Sequence, residues 1–195
     1  MRVLITGGNG LIGSHLAEAL LHSGHEVILQ DREFGKNTRQ VDCLKIRGDI
    51  RDSHIFDKVD FNPDVIFHAA AVSRVAWGEV DPKKCFDVNV IGGINIILWT
   101  LSRKPKPHFI LASSREVYGE PTSLPVTESH PKNPVSVYGT SKLAMEQLIT
   151  HYSKVSDLVY TITRFSNVYG STRDLPERVI PRFVDNALRG EPLIA

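Results

Sequence analysis

Cysteine is scarce in this chain, and neither sign of charge is in surplus. The 195 residues hold two cysteines, Cys43 and Cys85, far apart and without Cys-x-x-Cys spacing. They are expected to be reduced, core-filling thiols of a cytoplasmic protein, with no metal site. Twenty-three basic residues face 22 acidic ones, for a formal net charge of +1, so no basic surplus is available for a polyanion and nucleic acid is not an expected partner. Long apolar runs are also missing. The longest, Val88 to Leu101, is interrupted by Asn89, Asn95 and two glycines and falls short of the ~20 residues of a membrane span. The apolar run after Met1-Arg2 stops at Gly7-Gly8, too soon for a signal peptide. No membrane association is expected.

What remains is an ordinary globular composition, 42% hydrophobic and 23% charged, in a chain the length of one domain or of one and part of another. Strand and helix patterns alternate from the first residue. Arg2 to Thr6, Glu26 to Gln30, Cys43 to Arg47, Pro63 to His68, Pro107 to Ala112 and Leu158 to Arg164 read as strands. Leu11 to His22 has helical apolar spacing and ends at Gly24. Helices are also predicted over about Pro82 to Arg103, Ser136 to Tyr152 and Pro176 to Leu188. This alternation implies right-handed βαβ crossovers and a doubly wound α/β fold, a parallel sheet with helices on both faces.

Thr6-Gly7-Gly8-Asn9-Gly10-Leu11-Ile12-Gly13 carries a Gly-x-x-Gly-x-x-Gly spacing between the first strand and the first helix. Glycines there let backbone N–H groups approach a pyrophosphate, whose charge the helix N-terminus then holds. The plain alternative is an ordinary strand-to-helix turn. Asp31, at the end of the second strand, stands where an acid accepts hydrogen bonds from an adenosine ribose 2′-OH. Its charge would repel a 2′-phosphate and so favours NAD over NADP, whereas Arg32 beside it has the opposite preference.

Tyr138-Gly139-Thr140-Ser141-Lys142 places a phenol and an ammonium on one helix face. A cation about 4 Å away, at an effective dielectric of about 20, is worth roughly 4 kcal/mol. That corresponds to lowering the phenol's pKa by about three, so the pair is expected to make a phenolate accessible. An ordinary helix-surface pair is the plain alternative. Ser113-Ser114-Arg115-Glu116-Val117-Tyr118-Gly119 follows the fifth strand, at the carboxyl edge where open α/β sheets bind ligands. A serine there can orient a sugar hydroxyl, and Glu116 can act as an acid/base if its pKa is raised.

Taken together, these residues resemble the extended short-chain dehydrogenase/reductase superfamily, in its nucleotide-sugar epimerase/dehydratase branch. The resemblance runs from the loop at Thr6 to Gly13 through Asp31, Gly48 to Asp52, His68 to Ala71, Asn89, Ser113-Ser114 and Tyr138 to Lys142, ending in Arg164 to Gly170. It implies that Gly7, Asn9, Gly10, Leu11, Ile12, Gly13, Asp31, Arg32, Asp49, Ile50, the Ala69-Ala70-Ala71 backbone and Asn89 hold NAD. Buried hydrogen bonding is the plainer role for His68 and Asn89. The resemblance further implies that Tyr138 takes a sugar hydroxyl proton as hydride passes to the nicotinamide. Lys142 binds the nicotinamide ribose, Ser114 is the catalytic serine, and Ser73, Arg74 and Asn167 reach the nucleotide sugar.

Two features depart from that pattern. Arg115-Glu116 stands where the family's dehydratases have Asp-Glu and its decarboxylases Ser-Glu, so 4-epimerisation is expected ahead of 4,6-dehydration or decarboxylation using Glu116. The chain is also expected to be truncated, with an NAD-binding domain over 1–167 and the start of a substrate portion over 168–195. A non-catalytic NAD-binding module and a dehydrogenase releasing NADH are the alternatives. The resemblance also implies a homodimer through the helices near Pro82 to Arg103 and Ser136 to Tyr152.

Overall fold

A computed structural model describes residues 1–194. Six strands, β1 (Arg2–Thr6), β2 (Glu26–Asp31), β3 (Leu44–Arg47), β4 (Val65–His68), β5 (His108–Ser114) and β6 (Tyr160–Phe165), form one sheet in the order 3-2-1-4-5-6. Every pairing is parallel. Side chains alternate across a strand, so the central strands supply both cores. Leu4, Ile28, Ile66, Phe109 and Leu111 point to one face, where Ile96, Ile97, Met145 and Ile149 cover them. Val3, Ile5, Val27, Leu29 and Phe67 point to the other, against Ala17 and Val41. The doubly wound α/β architecture is the one expected.

Helix α1 (Leu11–His22) lies on the second face. On the first face, α3 (Pro82–Phe86) and α4 (Gly92–Leu101) are joined without a break by a π-helical turn at Asp87–Ile91, giving a helical run over Pro82–Leu101. The Asp81 side chain accepts from Lys84 N and caps its start, with Pro82 in the first turn. This run is longer than the apolar stretch read from the sequence. At 20 residues and a mean hydropathy of 1.2 it meets the length and composition of a membrane span, and half of that window is buried within the fold. Close packing against α5 (Val137–Ser156) is possible because a Cβ at Gly93 would fall 2.4 Å from Met145 Cε.

The remaining differences concern ends. Helix α5 runs past Tyr152 to Ser156 and stops at Asp157, whose φ of 54° is left-handed. Strand β5 extends beyond Ala112 to Ser114, carrying both serines onto the sheet edge. A short helix, α2 (Val75–Val80), was not anticipated, and α6 begins at Val179 and ends at Arg189. Before α6 the chain folds back on α1, with a hydrogen bond between the His15 ring and Ser171 (2.8 Å) and an Arg173–Glu18 ion pair (2.9 Å). No residue of α6 is buried, and its Val184 and Leu188 face outward.

Candidate active site

Strand order reverses between β1 and β4, which opens a crevice at their carboxyl ends. Thr6 to Gly13 forms its floor. Gly10 N donates to Gly7 O (3.1 Å), and the first bond belonging to α1 is Ser14 N to Gly10 O (3.0 Å). The amides of Leu11, Ile12 and Gly13 therefore precede the helical ladder, and the first turn has no acidic residue. Backbone leaves no room for a side chain at Gly7 or Gly13. A Cβ at Gly7, whose φ is +74°, would meet Ala70 N at 2.6 Å, and one at Gly13 would meet Gly7 O at 2.3 Å. The Ala69 to Ala71 segment is thus pressed against Gly7, with Ala69 N donating to Thr6 O (3.0 Å).

At the end of β2, Asp31 Oδ2 accepts from Asn9 N (2.8 Å), which fastens this carboxylate to the glycine loop. Asn9 Oδ1 in turn accepts from Gly35 N and Thr38 Oγ1. Arg32 is exposed and offers its carbonyl to Arg47 Nε (3.2 Å). Beyond this loop lies an open groove of about 760 Å³ lined by residues 34–40, Lys45, Thr172 and Arg173, away from Tyr138. Asp49 is held by Arg51 Nε and Nη2 (3.0 and 2.8 Å), which keeps its carboxyl below the ordinary range. The Ile50 side chain is in the core against Gly92, and its carbonyl accepts from Asn95 Nδ2 (3.0 Å).

Asn89 sits in the π-helical turn and is 2% exposed. Its Oδ1 accepts from Val72 N (2.7 Å), while its Nδ2 donates to Val72 O and to Ser141 Oγ (3.2 and 2.8 Å). The extra residue of the π-turn puts this amide beneath the loop after the three alanines, which it ties to α5. Ser73 is exposed, and Arg74 is engaged by Glu177 across the cleft (3.1 Å) and lies over the Trp77 ring. Asn167 is exposed on the loop after β6.

Helix α5 starts under two caps: Ser136 Oγ accepts from Gly139 N (3.0 Å) and Glu79 Oε1 accepts from Val137 N (2.9 Å). Tyr138 and Lys142 follow on its buried face, toward Ser114 at the end of β5. Ser114 Oγ accepts from Glu116 N (3.2 Å), and its hydroxyl lies within hydrogen-bonding reach of the Tyr138 phenol. Lys142 Nζ donates to Ala112 O (2.9 Å) and lies 5.8 Å from the centre of the Tyr138 ring.

The electrostatics correct one expectation. Burial pushes the Tyr138 phenol up from its ordinary value. The neighbouring Ser114 hydroxyl and Arg178 pull it back, while Glu116 adds to the rise. Lys142 is itself buried, which pushes its ammonium down to about 8. The fully charged lysine assumed from the helix spacing is replaced by one whose charge burial weakens and which is held on a carbonyl, and the chain by itself keeps the phenol protonated. Glu116 forms an ion pair with Arg115 (3.3 Å) and stands within electrostatic reach of the phenol. His68 donates or accepts at Thr6 Oγ1 (2.6 Å) and is held neutral, its pKa pushed down to about 3 by burial and then by Lys142. Cys85 is buried and Cys43 half-buried, and burial raises both thiols, in keeping with a core-filling role.

Sequence reasoning passed over a buried cluster beside this site. Glu146, one turn beyond Lys142, accepts from Arg164 and Ser113, and Arg164 also reaches Tyr118. The signal was available: an acid on the same face at the next helical turn has to be paired if that face is buried.

The family model described as the NAD dependent epimerase/dehydratase family matches residues 3–195. A UDP-glucose 4-epimerase of Lactobacillus helveticus is 33% identical over 98% of this chain and 61% of its own length. UDP-glucuronic acid decarboxylase 6 of Arabidopsis thaliana is 34% identical over 99% of this chain, which spans 58% of that relative. Among solved structures, the Thermus thermophilus UDP-glucose 4-epimerase in complex with NAD superposes with a TM-score of 0.89 at 34% identity, over 98% of this chain and 64% of that one. The chain thus spans about three fifths of the length of the proteins it matches.

Proposed function

The chain belongs to the NAD dependent epimerase/dehydratase family, and from that premise we propose that it supplies the NAD-binding and proton-transfer half of a nucleotide-sugar 4-epimerase. The observation that carries this reading is the convergence of Ser114, Tyr138 and Lys142 beside a glycine loop whose free helical amides suit a diphosphate. The crevice fits NAD in three respects: side chains are excluded at Gly7 and Gly13, no acid sits in the first turn of α1, and Asp31 closes β2. NAD bound there would supply a hydride acceptor for the sugar's C4 carbon.

The chain's own residues do the rest. Ser114 donates a hydrogen bond to the sugar O4 and orients it. Tyr138 Oη takes the O4 proton as the carbonyl forms and returns it when the alcohol is restored. Tyr138 can take that proton only as the phenolate; burial opposes its ionisation, and the positive charge of a bound oxidised cofactor would favour it. Lys142, held on Ala112 O, would bind the cofactor ribose. Arg115 engages Glu116, which favours return of the same carbon to an alcohol over acid/base chemistry elsewhere on the ring. The second reading is dehydration or decarboxylation through Glu116, favoured by that carboxylate's reach to the phenol.

The remaining assignments follow from this reading. Ser73, Arg74 and Asn167 stand on the rims where a nucleotide sugar would enter. Ile91, at the end of the π-helical turn, and Leu98, on α4, are each about half exposed and suit pairing with a second copy, measurable by analytical ultracentrifugation. The test of function is to incubate the full-length gene product with UDP-glucose, UDP-galactose, UDP-glucuronate and dTDP-glucose and to follow the sugars by NMR. Interconversion of C4 epimers without net NADH is expected. A 4-keto-6-deoxy or pentose product would establish the second reading, and NADH accumulating in proportion to product would refute both.

A further inference from the structure

Lysine and glutamate four residues apart on a helix share a face and ordinarily pair with each other. Lys142 and Glu146 do not, although both are buried on α5. Lys142 Nζ donates to Ala112 O (2.9 Å). The Glu146 carboxylate is filled from elsewhere: Arg164 Nε and Nη2 donate to its two oxygens, both at 2.9 Å, and Ser113 Oγ donates at 2.6 Å. The guanidinium is fixed in turn, since Nη1 donates to Tyr118 Oη (2.7 Å) and to Glu128 O (3.2 Å). Helix α5 is thereby fastened residue by residue to the end of β5, Lys142 to Ala112 and Glu146 to Ser113, with Ser114 left beside Tyr138.

We propose that Arg164 is a positioning residue for the Lys142 ammonium: by occupying both oxygens of Glu146 it prevents that carboxylate from capturing the lysine, which stays on Ala112 O beside Tyr138. A planar, bidentate guanidinium suits this role, because a point charge would leave one oxygen free to turn toward the lysine. The other groups facing Lys142 are His68 from β4, held neutral, and the Cys85 thiol from α3. Those facing Tyr138 are Glu116, Cys85 and Arg178. Without Arg164, Glu146 is the nearest carboxylate to Lys142 along α5. The consequence for turnover rests on the cofactor-ribose role proposed above for Lys142, whereas the partition of partners itself does not.

The test follows Lys142 directly. Its titration is read by NMR in chain carrying 13Cε-lysine, with Lys142→Met to assign the signal and no sugar present. The native midpoint is expected at about 8, where burial places the ammonium. Arg164→Met should raise it by about one to three pH units, as an opposite charge is captured, and Arg164→Met/Glu146→Gln should return it to the native value. Glu146→Gln alone, which keeps Arg164, should leave the midpoint in place. An Arg164→Met midpoint equal to native, a double variant that stays shifted, or a fall of a unit or more in Glu146→Gln would each overturn the proposal. If Arg164→Met does not fold, Arg164→Lys, a point charge that leaves one Glu146 oxygen free, should raise the midpoint by a smaller amount, and a native midpoint there would overturn the proposal. A shifted lysine in a full-length enzyme that turns over no nucleotide sugar would count against the function and not against this arrangement.

Discussion

Replacing Gly13 by alanine should cost NAD binding more than it costs folding. The added Cβ would stand 2.3 Å from Gly7 O, 2.9 Å from Gly8 Cα and 3.0 Å from Gly7 C, all of them backbone atoms that cannot rotate away. Comfortable contact needs about 3.5 Å, so the loop and the first turn of α1 must separate by about 1 Å. Overpacking of this kind destabilises by about 1–3 kcal/mol. Gly7 O is also the acceptor for Gly10 N, so the turn that aims the amides loosens with it. One lost hydrogen bond to a charged diphosphate is worth about 1.5–3 kcal/mol, which raises the Kd for NAD roughly 10- to 100-fold. Gly24→Ala is the control. Its φ of +76° makes alanine unfavourable, yet nothing lies within 4 Å of the new Cβ. It should lose about 1–2 kcal/mol of stability and no affinity. Calorimetric titration with NAD alongside thermal unfolding measures both quantities. A folded Gly13→Ala chain that binds NAD as tightly as the native one would refute the placement of the diphosphate.

Tyr138→Phe should leave NAD binding intact and lower turnover of the nucleotide sugar in the full-length enzyme by about 100-fold or more; normal turnover would remove the tyrosine from the reaction. The His68 ring binds its proton near pH 3 when folded and near 6.5 when unfolded, so the stability it contributes is complete above 6.5 and is lost as pH falls toward 3. His68→Gln should therefore flatten the acid limb, seen as a smaller drop in urea midpoint between pH 7 and pH 4 than in the native chain. Lys142 is charged when unfolded up to about 10.5 and when folded only up to about 8, so its contribution to stability rises across that window. Lys142→Met should consequently be more stable than native at pH 7, by up to roughly 3 kcal/mol, with the advantage shrinking by pH 10; a variant less stable at both pH values would contradict the burial cost assigned to the ammonium.

Elements with strong periodicity were legible in advance. All six strands and the four long helical segments fall where the pattern of apolar residues puts them, because a strand buried on both faces and a helix buried on one each leave a distinct period. The errors are at ends and in short pieces. Helix α2, a single short helix between Arg74 and Asp81, is too brief to show a period. The π-turn at Asp87–Ile91 leaves no mark on the sequence, since an extra residue in one turn changes the hydrogen bonding and not the composition. Among the candidate site residues, Ser114, Tyr138 and Lys142 come together at the end of β5 and the start of α5, and Asp31 is tied to the glycine loop. The carboxylate at Glu146 and its guanidinium from β6 were not, because their sequence positions lie on different elements.

The order of residues along the chain was enough to determine the doubly wound sheet, the glycine turn and the helix face shared by Tyr138 and Lys142, since each depends on local spacing alone. What charge those two groups carry was decided only in three dimensions. Burial raised the phenol and lowered the ammonium, and the carbonyl of Ala112 and the guanidinium of Arg164 determined which partner each buried charge could reach. Desolvation and partner choice arise from elements that meet through the sheet, so neither quantity exists until β5, β6 and α5 are packed together.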